Sequence, residues 1–206
     1  MSIGWPGGPG DDDGTAEFRR TLRDHLFEQR VVVLTGRLEH DVAGRAAIEL
    51  MTLDADGDEP IRLQLSCADG ELDAALSLMD VIELVGVPVE ALCIGTVGGA
   101  AVGVLAVAGR RLATATTSLL LRDPGDSFTG SAHDQQRWAQ HRADRWRIFC
   151  DRVSGFTHRS VDEVEVDFER GRFLSATEAL DYGLLDEIVQ QPSAERRGRL
   201  GFRPVR

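Results

Sequence analysis

Between Cys93 and Gly109 the chain reads CIGTVGGAAVGVLAVAG, the form of an apolar strand turning sharply into a close-packed helix. Hydrolases use such a corner to present a nucleophile, because the strained turn leaves one side chain exposed above the sheet. Here small residues occupy the corner, and Thr96 is the run's only hydroxyl. Ser66 and Cys67 follow another strand-like run, and His40, His133, His141 and His158 are available as bases, so a displaced nucleophile with an imidazole partner is one chemistry to test. No spacing ties any of these histidines to the turn, and a structural role is the simpler account of an isolated Ser or Cys at a strand end. His133 and His141, with Asp134 nearby, stand eight residues apart. Exposed helix polarity explains them without a metal. Gly98-Gly99 lacks the GxGxxG or GxxxxGK spacing of a phosphate cradle. Neither a cofactor nor a metal is expected.

The elements that must position these groups alternate strand and helix. Arg30–Gly36 is a β-branched run ending in a turn signal, and Arg45–Met51 consists almost wholly of helix formers. DADGDEP at Asp54–Pro60 is turn chemistry, after which Ile61, Leu63 and Leu65 alternate with Arg62 and Gln64 as a half-buried strand does. Leu72, Ala75, Leu76, Met79 and Ile82 then recur at three- and four-residue steps, which predicts a helix with one apolar face. Val87 to Ile94 reads as the strand that enters the turn. Ser131–Val153 reads as a long amphipathic helix with Trp138, Trp146, Phe149 and Val153 on roughly one side, stopped near Gly155. Two capping boxes follow, Ser160-Val-Asp-Glu163 and Ser175-Ala-Thr-Glu178, the second opening a helix over Ala176–Tyr182 that Gly183 ends. The alternation implies an α/β protein with mostly parallel strands.

Composition sets outer bounds. At 206 residues and 42% hydrophobic, the chain can bury one sizeable core. The expected organisation is a flexible Gly-, Pro- and Asp-rich arm over residues 1–15, one domain over 16–191, and a basic tail over 192–206 with five Arg and one Glu. No run is apolar enough to span a membrane and no apolar leader precedes the domain, so a cytoplasmic location is expected. A net charge of −11 opposes a nucleic-acid surface. The three cysteines, Cys67, Cys93 and Cys150, are widely spaced and form no CxxC pair, so buried thiols are expected rather than disulfides or zinc ligands.

One stretch is more specific than the rest. RGRFLSATEALDYGLLD, Arg170–Asp186, is similar to the RDxFLSAxEAxEYGLxD of the proteolytic subunit of the ATP-dependent Clp protease (peptidase S14). Leu34-Thr35-Gly36, Cys93-Ile94-Gly95 and the Pro124-Gly125 corner also resemble landmarks of that family, and the likeness runs from about Glu28 to Ile188. It implies the fold shared with crotonases, with repeated strand-turn-helix units, a protruding handle helix at Ser131–Val153, and heptameric rings stacked into a chamber. It further implies partnership with active paralogues and a AAA+ Clp unfoldase.

The family hydrolyses peptides with a Ser-His-Asp triad. Residue by residue, the resemblance puts the serine of the family's CxGxAAS on Gly99, or on Ala100 if Ala108-Gly109 is held in register. It puts the histidine of HxP on Arg122, whose guanidinium stays protonated and cannot act as a base, and the aspartate on Gly171. The family's Ser-Pro-Gly-Gly becomes Cys67-Ala68-Asp69-Gly70, so the oxyanion-equivalent residues are Asp69 and Gly70. A carboxylate there would oppose a developing negative charge, and it would be in position to pair with Arg122. The expectation is a subunit without chemistry, structural or regulatory in a Clp complex. The alternatives are a peptidase with a displaced serine or cysteine nucleophile and a crotonase-like enzyme acting on an acyl-CoA.

Overall fold

A computed structural model describes residues 21–125 and 129–189; the expected arm and the basic tail lie outside the described residues. A helical segment over 21–28 (α1) leads into β1 (Val31–Leu38), α2 (His40–Asp56), β2 (Ile61–Gly70), α3 (Leu72–Leu84) and β3 (Val89–Cys93). β1, β2 and β3 pair in parallel, and β5 (Arg110–Thr114) and β8 (Glu187–Val189) extend the sheet in the order β1-β2-β3-β5-β8. The alternation expected over Ile61, Leu63 and Leu65 holds, since these residues and Cys67 are fully buried while Arg62 is exposed. Short connections between parallel strands force a crossover, and α2 and α3 make it, burying Ala46, Leu50, Leu76 and Met79.

The approach to the turn differs from the sequence reading in one respect. The strand from Val87 does not run on into the corner. It stops at Cys93, kinks at Gly95 with φ of +73°, and resumes as β4 (Thr96–Gly98) in a second sheet of order β4-β6-β7. The positive φ at Gly95 turns the chain out of the first sheet at little steric cost. β6 (Ser118–Leu121) runs parallel to β4, and β7 (Arg172–Ser175) runs antiparallel to β6, the one antiparallel pair among the described strands.

After β4 comes α4 (Ala101–Ala106), in which every residue is buried. Its Gly103 must lack a side chain, because a Cβ there would lie 2.3 Å from the Phe149 ring and 2.7 Å from Met79 Sδ. Phe149 belongs to α5 (Ala132–Gly155), the long helix, which is capped by Ser131 and buries Trp146, Phe149, Cys150 and Val153. Trp138, expected on the same buried side, is instead half-buried and lines a groove. α5 is fastened to α3 by arginines one heptad apart: Arg145 to Asp73 at 2.8 Å, and Arg152 to Asp80 and Glu83 at 2.6 and 2.7 Å. Trp146, Phe149 and Phe168 form an aromatic cluster with centroids 5.3 to 5.6 Å apart. Phe168 comes from α6 (Val161–Arg170), and α7 (Ala176–Tyr182) follows β7. Both expected capping boxes are formed, and Gly171 and Gly183 end α6 and α7 in left-handed conformation. None of the helices among the described residues is long and apolar enough to cross a membrane.

Candidate functional site

The corner between β4 and α4 has Gly99 at its apex, with φ of +56°. Its amide donates to the Leu120 carbonyl on β6 at 3.0 Å. Gly98, just before it, is pressed against β2, since a Cβ there would lie 2.6 Å from the Ala68 carbonyl oxygen. The two residues assigned to the serine position therefore have different surroundings. A Cβ on Gly99 would sit 3.0 Å from Asp69 Oδ1 and 3.7 Å from the Gly70 nitrogen. Ala100 already has helical φ and ψ, and its methyl is fully buried in the core. The side-chain space facing the end of β2 belongs to Gly99, which leaves it empty.

Asp69 fills the other side of this space. Its Oδ1 accepts the Gly70 amide at 2.9 Å. Its Oδ2 meets Arg37 Nη1 at 2.5 Å and Arg122 Nη2 at 3.2 Å. The expected Asp69–Arg122 pair is thus formed. Arg37 is a second partner that sequence reasoning missed, although the parallel register of β1 and β2, which sets Arg37 beside Asp69, is the signal that would have found it.

Gly171 approaches the same end of the second sheet. The register of β6 against β7 pairs Leu121 with Arg172, so Arg122 and Gly171 are the next residues outward. The Phe168 carbonyl accepts both the Asp123 amide at 3.1 Å and the Gly171 amide at 3.2 Å, which ties the segment after β6 to the end of α6. Asp123 is in turn held by Arg142 of α5, which also donates to the Pro124 carbonyl at 2.6 Å. Gly99, Asp69, Gly70 and Arg122 thus meet around one corner, with Gly171 alongside Arg122. A hydroxyl is missing from its apex, and a guanidinium and a carboxylate face it. Glycine offers no atom for an acyl intermediate, and a permanently protonated guanidinium can take no proton from one.

The displaced candidates have other surroundings. Cys67 and Cys93 are fully buried, and burial pushes their thiols up to about 11 and about 12 respectively, so neither is a thiolate near neutrality. Burial also raises the Cys150 thiol, reinforced by Glu165, Asp123 and Glu169. Ser66 is half-buried, and a Cβ on Gly95 would lie 3.7 Å from its Oγ. His40 bonds Glu71 through Nδ1 at 2.5 Å, and the backbone amide of His158 donates to the Tyr182 carbonyl at 3.3 Å. His133 is exposed on α5. His141 lines, with Arg37, His40, Glu71, Trp138 and Arg142, an open groove of about 440 Å³ beside the corner. Among the described residues no group of three or more His, Cys, Asp or Glu side chains is arranged to hold a metal.

The arrangement of an α/β strand-corner-helix beside a Gly-bearing strand end, together with the doubly capped segment ending at Gly183, agrees with comparison against known families. A family model described as Clp protease matches residues 14–192. Because that match takes in all the sheets and helices of the described residues, the chain belongs to the Clp protease family.

Proposed function

We propose that this chain is a catalytically silent proteolytic-subunit homologue, retained in an ATP-dependent Clp protease complex for a structural or regulatory role. The observation that supports this most directly is the pairing at the corner: no side chain at Gly99, and the Asp69 carboxylate turned toward the same space. In an acyl-transfer site that space holds the nucleophile, and the neighbouring amide donates to the oxyanion of the tetrahedral intermediate. Here the Gly70 amide donates to Asp69 instead. Arg122 in the base position and Gly171 in the orienting position extend the same reading, whereas loss of a serine alone would leave an imidazole and a carboxylate in place.

The partners in this reading are active paralogues sharing heptameric rings, with a AAA+ unfoldase docked on them in the cytoplasm. α5, in the position of the family's handle helix, would form part of the contact between rings.

The test has two arms. Purified protein should neither cleave fluorogenic peptides nor be labelled by a fluorophosphonate. Co-expressed with an active paralogue, it should enter mixed rings by native mass spectrometry and change their cleavage rate. Labelling abolished by Ser66→Ala would overturn the silent reading in favour of a displaced serine. A monodisperse monomer at micromolar concentration, even with the paralogue present, would overturn the assembly role.

A further inference from the structure

We infer that Arg37, Arg122 and the Gly70 amide form a carboxylate receptor whose resident ligand is the chain's own Asp69 side chain. The three donors come from different parts of the fold: β1, the segment after β6, and the end of β2. They converge on one carboxylate: the Gly70 N–H donates to Oδ1, Arg37 Nη1 donates to Oδ2, and the Arg122 guanidinium makes an ion pair with Oδ2 at 3.2 Å. Two guanidinia meet one carboxylate oxygen, and among the described residues Arg37 has a further carboxylate, Glu39, with its Oε1 3.7 Å from Nε, whereas Arg122 pairs with Asp69 alone. Removing the Asp69 carboxylate would leave two guanidinia and an amide aimed at one vacated volume. The charge-assisted hydrogen bond from Arg37 and the ion pair with Arg122 are the kinds of contact that hold a small carboxylate most strongly.

Two neighbouring features make that volume accessible. Gly99 presents no side chain toward Asp69, and a Cβ there would already lie 3.0 Å from Oδ1, so the glycine keeps clear the side from which the carboxylate is seen. The groove of about 440 Å³ shares Arg37 with the receptor, and the Arg37, Arg122 and Asp69 side chains are themselves 43, 49 and 29% exposed, so the site opens to solvent. The ligand class is a carboxylate, either a free small acid or the C-terminus of a peptide entering along the groove. In the native chain Asp69 occupies the receptor from within and closes it to both. The receptor does not depend on the silent-subunit reading: peptide hydrolysis by the native chain would sink that reading and leave the receptor standing.

The experiment compares native protein, Asp69→Ala and Asp69→Ala/Arg122→Ala by thermal melting and calorimetry against sodium acetate, with sodium chloride at matched ionic strength. Asp69→Ala should show a saturable acetate-specific rise in melting temperature, the native chain none, and the double variant binding roughly tenfold weaker. A peptide with a free C-terminus should reproduce the acetate effect and its C-terminal amide should not, if the groove delivers peptides; acetate alone acting would restrict the ligand to small acids. Equal acetate responses in native protein and Asp69→Ala would overturn the proposal, as would an Asp69→Ala response that survives loss of Arg122. Should Asp69→Ala fail to fold, Asp69→Asn provides the decision, since it keeps the shape and an acceptor for Gly70 but drops the charge. It should melt below native protein at low salt, with the gap narrowing as salt rises. No gap at low salt would overturn the receptor.

Discussion

The corner at Gly99 is bonded to Leu120 on β6, and the segment after β6 is tied through the Phe168 carbonyl to the stretch from Ser160 to Asp186, yet the corner and that stretch have been treated differently by the sequence. In the segment, each local device is complete. Both capping boxes form, Gly171 and Gly183 close their helices, and Tyr182 is buried with its hydroxyl donating to Asp167 at 3.1 Å and the guanidinia of Arg159 and Arg172 over its ring. At the corner the backbone is equally well formed, but Gly99 carries no side chain, and the charges of Asp69, Arg37 and Arg122 satisfy one another. Backbone architecture and reactive side chains are therefore separable. The corner is held by β4–β6 pairing and by close approach of β2, neither of which requires a serine.

Four substitutions would break or sharpen this contrast. The largest effect is expected in the scaffold. Phe168→Ala removes one ring of the aromatic cluster and should destabilise the fold by about 3–5 kcal/mol in urea denaturation. A much smaller loss would mean that the cluster is not what holds α6 against α5.

Arg111→Ala comes next. This guanidinium, 13% exposed, reaches Asp186 and the carbonyls of Phe156 and Gly183, and should cost about 2 kcal/mol. Hydrogen bonding to Arg111 lowers the Asp186 carboxyl below its ordinary value. A depressed carboxylate adds stability that is present above its unfolded pKa and is lost as pH falls through the folded value. Arg111→Ala should therefore reduce the acid-limb loss of stability, and parallel acid limbs for variant and native protein would contradict the assignment.

Ser175→Ala removes the cap of α7, where the hydroxyl accepts the Glu178 amide, and should cost about 1 kcal/mol. The smallest change in activity is expected from Gly99→Ser, which should cost about 1–3 kcal/mol for a non-glycine residue at positive φ with its Cβ 3.0 Å from Asp69 Oδ1, and should restore no peptide cleavage. Hydrolysis by Gly99→Ser would show that a base is present after all and would collapse the contrast between the two regions.

What was legible in the sequence follows the range of the interactions involved. The two capping boxes and the Gly183 stop were readable because each joins residues three or four apart, so local chemistry alone specifies them. The buried face of β2 was readable because a period of two needs no knowledge of the partner strand. The break between β3 and β4 was not, because Ala91 to Gly109 is apolar or small throughout and only the turn at Gly95 divides it between two sheets. The antiparallel β7 was hidden in the same way, since four residues carry too little pattern to reveal a partner. At the site, Asp69 and Arg122 were found by resemblance. Arg37 entered only with the β1–β2 register, which brings together residues 32 positions apart.

The long helix α5 has one further consequence. Its buried residues begin at Trp146, and all three of its ion pairs to α3 lie at Arg145 and Arg152, whereas the turns from Ala132 to His141 are exposed apart from half-buried Trp138. A single continuous helix thus has two stabilities. Its C-terminal half can open only with the core, whereas its N-terminal turns can fray alone, with amides exchanging by local opening rather than by global unfolding. A rod anchored at one end transmits a push along its length but yields when bent at the other, so the same element can brace this subunit and adapt at its outer end.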